Sequence, residues 1–241
     1  MARTSWLDRR YSLLGGSLLA PIALLIGATL VCSILGAQVP VILAAGALIP
    51  AAVFVGQAWR LVTWVLFEQD PLSLIFAALA LFWFGNGLAR VWGPGRFLAA
   101  YFGLAGASGF VTCLAAMAWP ALRLLPFLGP WAVVTALIVA WAIVFPTRDI
   151  FVYFVLPLHG RNLVYATFAG TLLFALLGGG LRLFPHFVAQ ILMLAALQRS
   201  PFGRLWAHAR FEMAYRSWRR RASRLKEVSP PSRDERPRWY H

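Results

Sequence analysis

The chain has 241 residues, 61% of them hydrophobic and only 12% charged, with a mean hydropathy of +0.72. Soluble domains carry about a quarter charged residues, so a soluble globular domain is excluded, and so is disorder over most of the length. The net charge is +14, with 12 of the 22 Lys and Arg from Arg199 onward, which describes a polytopic membrane protein of one or two domains with a basic tail.

A spanning helix needs about 20 mostly apolar residues. Arg3, Arg9 and Arg10 precede an uncharged stretch, residues 11–59, that is too long for one span. The stretch from Gly36 to Pro40 ends a first helix, predicted over 14–36. No small-residue cleavage site follows it, so this helix is expected to stay attached rather than leave as a signal peptide. Residues 41–58 are apolar but broken by Pro50 and Gly56. They are expected to form a membrane-dipping or interfacial loop, which is allowed where protein covers the backbone. Five more spans are predicted over 71–90, 97–118, 129–146, 162–180 and 184–199. The expected fold is therefore an all-α polytopic membrane protein with six transmembrane helices and an embedded loop between the first two.

The tail forms a second region. Residues 1–199 make the transmembrane domain and 200–241 the cytoplasmic tail. In 200–228, Phe211, Tyr215, Trp218, Ala222 and Leu225 recur at helical spacing. Arg216, Arg219, Arg220, Arg221 and Arg224 surround that stripe. A basic amphipathic helix lying on anionic headgroups accounts for the pattern. Tethering to a bilayer weighs against nucleic acid as the partner. Residues 229–241 are expected to be disordered.

Six spans put both termini on one side. With the termini cytoplasmic, 19 of the 22 basic residues lie inside, and only Arg60, Arg123 and Arg182 lie outside, as the positive-inside rule requires. A seventh span through 41–58 would turn Arg90, Arg96, Arg148 and Arg161 outward. Charge and Arg-rich composition suit a bacterial inner membrane.

His186 is the only Asp, Glu, Lys, Arg or His inside a charge-free span. An intramembrane ionisable group is a functional hypothesis by default; the structural reading is a hydrogen bond to Gln190, four residues on, or to a nearby Ser or Thr. No carboxylate pair lies in the spans, which argues against proton-coupled transport. Cys32 and Cys113 have no metal spacing and there is no phosphate loop, so no metal or cofactor is expected.

Four motifs follow one another after the embedded loop. They are Trp59-Arg60-x-x-Thr63, Phe84-Gly85, Gly93-x-x-Arg96-Phe97-x-x-x-Tyr101, and Phe145-Pro146-x-Arg148. In this order and spacing they resemble the rhomboid family of intramembrane serine peptidases, from about residue 50 to the tail. The resemblance implies a helix-four serine in G-x-S-G, a helix-six histidine as its base, and a helix-two His and Asn that hold the oxyanion. Such a hydroxyl needs a base in reach, and its tetrahedral anion needs donors in a dry site. Anchored on Phe145-Pro146, the serine motif falls on Gly129-Pro130-Trp131-Ala132, so Trp131 holds the nucleophile position. Anchored on Phe84-Gly85, the His and Asn positions are Ser73 and Ala77, while His186 matches the family histidine. Gly106-Ala107-Ser108-Gly109 spells G-x-S-G, but on helix three. Close packing of small residues accounts for it better than a relocated nucleophile Ser108.

The resemblance therefore implies a degenerate rhomboid, a pseudoprotease that binds transmembrane segments of single-span clients, with Trp59 and Arg60 in the loop that shapes lateral access. Trp59 and Arg60 also read as an interfacial anchor, with an aromatic at headgroup depth and a snorkelling Arg. Two alternatives stand beside the pseudoprotease: an active serine endopeptidase using a displaced Ser108/His186 pair, and a scaffold that recruits partners through its tail.

Overall fold

The computed structural model describes residues 10–13, 16–146, 149–152 and 156–199. The chain divides into two units, Met1–Gln198 and Arg199–His241. Beyond Arg199 the second unit lies outside the described residues, and with it the expected tail helix 200–228 and its arginines.

Helix α1 runs Ala20–Gln38. Pro21 occupies its first turn, where a missing N–H costs nothing, and Pro40 follows its end. The predicted start at 14 is too early. Arg10–Leu13 (β1) and Gly16–Leu19 (β2) pair antiparallel instead. The Leu19 N–H donates to Asn86 Oδ1 at 3.1 Å, which ties β2 to a distant helix. A short apolar run does not by itself distinguish strand from helix, and the helix-compatible proline falls only at 21.

Residues 41–58 break up as expected. They give α2 (Pro40–Gly46), α3 (Pro50–Phe54) and a turn at Gly56, followed by α4 (Arg60–Thr63). At about 1.5 Å per residue, α2 covers about a third of a hydrocarbon core of about 30 Å, so neither α2 nor α3 crosses. The loop is pinned by its backbone to residues 123–127. Leu48 and Phe127 exchange hydrogen bonds of 3.0 and 2.9 Å, and Ala51 N–H donates to Arg123 C=O at 3.0 Å. Its polar backbone is thus satisfied within the protein, the condition for irregular chain at membrane depth.

Next come α5 (Pro71–Ala80), a π-helical turn (Leu81–Gly85) and α6 (Asn86–Trp92), together one apolar helix from Pro71 to Trp92. Helix α7 follows as Pro94–Ala118, three residues earlier than the predicted start because Pro94 opens it. Helix α8 spans Trp131–Val144. After β3 (Asp149–Val152) and β4 (Leu156–His159) comes α9 (Gly160–Phe174), which runs into a π-helical turn at Ala175–Gly179. Helix α10 is Phe184–Arg199, where 184–199 was expected. Two small two-stranded β pairs accompany an otherwise all-α architecture.

Four helices, Ala20–Gln38, Pro71–Trp92, Pro94–Ala118 and Gly180–Gln198, are long and apolar enough to cross a membrane. Trp131–Val144 and Asn162–Gly178 are apolar but shorter. The predicted 129–146 shrinks because Gly129, at φ +100°, and Pro130 stand before the helix, and Pro146 closes it. Helix α8 is the centre of the core. Ala132, Val133, Val134, Ala136, Leu137, Val139 and Ala140 are all buried, on every side of the helix, as expected of a helix that is apolar all round. By contrast α1 leaves Val31 and Ile34 exposed and α5 leaves Leu72 and Ile75 exposed. The result is a polytopic helical membrane bundle, with apolar outer faces suited to lipid and a protein-enclosed central helix.

Candidate functional site

The loop motif Trp59-Arg60-x-x-Thr63 closes the end of α2. A helix leaves its last four carbonyls without partners, and here the motif's side chains fill them. Arg60 donates to Ala44 C=O, to Ala47 C=O at 2.6 Å and to Gln57 Oε1 at 2.6 Å. Trp59 Nε1–H donates to Ala45 C=O at 3.2 Å, and Thr63 Oγ–H donates to Gly46 C=O at 3.0 Å. Arg60 is only 8% exposed. Its guanidinium is turned into the loop, whereas the indole of Trp59 remains exposed.

Ser108 lies mid-α7 and is fully buried. Its hydroxyl donates back to Ala105 C=O at 3.1 Å, the usual bond of a serine within a helix. Its neighbour Gly109 explains the run of small residues, because a Cβ there would stand 3.2 Å from Leu61 C=O. The Gly106–Gly109 stretch is the seat on which α4 rests.

The positions that the sequence assigns to the nucleophile and to its helix-two partner come together. Trp131, the first residue of α8, donates its indole N–H to Ser73 Oγ at 2.6 Å, across 58 residues of sequence. The Ser73 hydroxyl in turn hydrogen-bonds the carboxylate of Glu68. Glu68 Oε1 also accepts from Gln69 N–H at 3.0 Å and Asp70 N–H at 3.4 Å, and the Glu68 N–H donates to Ser33 Oγ at 2.9 Å. Asp70 caps α5 by accepting from Ser73 N–H at 2.7 Å, the role preferred for Asp at an N-cap. Gly129 is required here twice over. Its φ of +100° suits glycine, and a Cβ would sit 2.8 Å from Glu68 Oε2.

Partial burial pushes the Glu68 carboxyl above the usual carboxylate range; the Asp70 and Gln69 N–H groups and the Ser73 hydroxyl pull it partly back, and the Asp70 charge raises it. Ala77, one turn below Ser73, is buried and offers no polar side-chain atom. The arrangement is an indole–hydroxyl–carboxylate chain. The hydroxyl at its centre is already engaged on both sides, and the indole belongs to the residue that motif spacing assigns to the nucleophile position.

His186 is the third residue of α10. Its Nδ1 is buried and has no hydrogen-bonding partner among the described residues. The expected bond to Gln190 is not formed. Gln190 instead donates from Nε2 to Thr171 Oγ1 on α9 at 2.7 Å. Among the described residues no group of three His, Cys, Asp or Glu could hold a metal. Arg216, Arg219, Arg220, Arg221 and Arg224 lie outside the described residues.

Sequence reasoning missed Glu68 and the reason for Gly129. The sequence offered only a carboxylate three residues before the proline that starts a span; its approach to Gly129 is tertiary. No curated protein matches the chain. The family model for the rhomboid domain matches residues 55–199, well over half of the chain and spanning every motif above. With the helical bundle and the capped embedded loop in place, the chain belongs to the rhomboid family and is an integral membrane protein.

Proposed function

We propose that this rhomboid is a pseudoprotease that binds transmembrane segments of single-span client proteins without cleaving them. What supports the reading is Trp131, the residue that motif spacing assigns to the family nucleophile, whose indole N–H is tied to Ser73 Oγ at 2.6 Å. A serine peptidase needs a hydroxyl against a base and donors aimed at the same carbonyl. Here Ser73 and Ala77 stand where the helix-two donors would be. Ser108, the other hydroxyl in a G-x-S-G sequence, is buried and bonded to its own helix. Client binding does not depend on a nucleophile. It needs a lateral opening between helices and a protein surface at membrane depth, and the capped loop with its exposed Trp59 is the element to which we assign that surface. The cell compartment follows from charge. Both termini face the cytoplasm of a bacterial inner membrane, with 19 of 22 basic residues inside, and the basic tail, a region of its own from residue 200, rests on anionic lipid.

The test is binding of a fluorescent single-span peptide to the full chain in lipid vesicles, with peptide integrity read by mass. Saturable binding of intact peptide is expected. Loss of saturable binding, or recovery of cleaved peptide, goes against the reading.

A further inference from the structure

Four parts of the chain meet at Glu68, at the end of the bundle where α1 finishes and α5 and α8 begin. The Glu68 N–H donates to Ser33 Oγ on α1 at 2.9 Å. Its carboxylate takes the hydroxyl of Ser73, in the first turn of α5. The same Ser73 Oγ accepts the indole N–H of Trp131, the first residue of α8, at 2.6 Å. Gly129 donates its N–H to Trp64 C=O at 3.1 Å, and its missing side chain leaves the room in which Glu68 Oε2 stands. The start of α8 is therefore held against the start of α5 by way of one carboxyl group.

That group has no cation beside it among the described residues. The groups facing it are Asp70 and Ser73 from the start of α5, Ser33 from α1, and Gly129 and Trp131 from the start of α8. The one charge among them, Asp70, has the same sign. Arg60 and Arg123 spend their guanidinium groups on the carbonyls of Ala44, Ala47, Ala116 and Met117. A partly buried carboxylate without a counter-ion is costly to keep charged, whereas a neutral carboxyl still offers an oxygen to the Ser73 proton. Gln69 and Asp70 beside it are exposed, so water lies within a side-chain rotation. We infer that Glu68 is a pH-responsive latch: neutral, it holds the start of α8 against α5 through Ser73 and Trp131, and ionised, it turns out to water and lets the two part. This goes beyond segment binding and does not depend on it. The sign follows from the surroundings. Burial, and then the Asp70 charge, raise the carboxyl above the usual carboxylate range, and its hydrogen bonds pull it only partly back. The latch is shut below the ordinary carboxylate value and opens as pH rises through the raised one.

The experiment uses the full chain in lipid nanodiscs, with its 11 tryptophans replaced by fluorotryptophan, and follows fluorine NMR from mildly acidic to mildly alkaline pH. The Trp131 resonance is the one lost in Trp131→Phe, with Trp131→Tyr as a second assignment. In the parent it is expected to shift with one inflection above the ordinary carboxylate value. A water-soluble gadolinium chelate is expected to broaden it more strongly above that inflection than below. Glu68→Gln should keep the resonance at its low-pH position throughout. Asp70→Asn retains a side chain that caps α5 and removes the like charge, so its inflection should move to lower pH. The other tryptophan resonances report that each variant is folded. A Trp131 resonance that does not titrate, that titrates equally in Glu68→Gln, or that is broadened alike on both sides of the inflection overturns the latch. So does an Asp70→Asn inflection that stays in place or rises.

Discussion

Replacing Arg60 with methionine keeps most of the stem and removes the guanidinium. That group donates to Ala44 C=O, Ala47 C=O and Gln57 Oε1 from a largely buried position. A hydrogen bond from a charged donor contributes about 1.5–3 kcal/mol net. Removing the group also removes the cost of burying its charge, so the three bonds do not add in full. A loss of about 2–4 kcal/mol is expected, and for a chain of this size each kcal/mol shifts the melting midpoint by about 2–4 °C. Thermal unfolding in detergent, followed by helical circular dichroism, should therefore fall by roughly 4–16 °C. Arg60→Lys should fall between, because one ammonium is a point charge and lacks the planar fork that reaches several acceptors. Trp59→Phe removes one exposed bond to Ala45 C=O and should cost less than about 1.5 kcal/mol. An unchanged midpoint for Arg60→Met, or Arg60→Lys as unstable as Arg60→Met, would refute the capping role.

Three further expectations follow. Because burial raises the Glu68 carboxyl above its usual range, the folded state holds that proton more tightly than the unfolded chain. Its cost to stability is absent below the ordinary carboxylate value and grows as pH rises through the raised one; Glu68→Gln should flatten this segment of the stability–pH curve, and an unchanged slope would show that Glu68 does not set it. Ser108→Ala should alter stability by less than about 1 kcal/mol, whereas Gly109→Val, pressed against Leu61 C=O, should cost about 1–3 kcal/mol by overpacking, and the reverse order of midpoints would contradict the seat for α4. For topology, a reporter active only in the cytoplasm should work when fused after Gly93 and fail after Arg123; the opposite pattern would mean that the termini lie on opposite sides.

The helices were legible because the bilayer writes a one-dimensional signal. The charge-free windows starting near 71, 97 and 184 correspond to helices opening at Pro71, Pro94 and Phe184. The embedded loop was legible for the same reason inverted, since Pro50 and Gly56 interrupt an apolar run that has no charge to end it. The β1–β2 pair was not legible. Its short, largely uncharged run reads equally as a helix start, and only the antiparallel pairing, from Arg10 with Leu19 to Leu13 with Gly16, distinguishes it. At the site, motif order placed Trp131, Ser73 and Ala77, but not what they touch. The bond from Trp131 to Ser73 crosses 58 residues, and Glu68 entered no motif. Its role comes from the tertiary approach of Gly129, which no local pattern encodes. Arg60 illustrates the same limit in a different way. Its place in the motif was plain, but a snorkelling arginine and a capping arginine have the same sequence, and only the positions of the Ala44 and Ala47 carbonyls separate them.

The most direct measurement is labelling of the purified protein in lipid by a serine-directed phosphonate probe, with cleavage of a single-span substrate read in the same sample and with Ser108→Ala and His186→Ala alongside. Trp131 has no nucleophilic group, and the Ser108 hydroxyl is buried and bonded to Ala105 C=O of its own helix rather than to a base, so no activated nucleophile is offered. The account predicts no labelling and no cleavage by the parent protein or either variant. Labelling and cleavage by the parent that disappear in both variants would make Ser108 and His186 a working pair and contradict it.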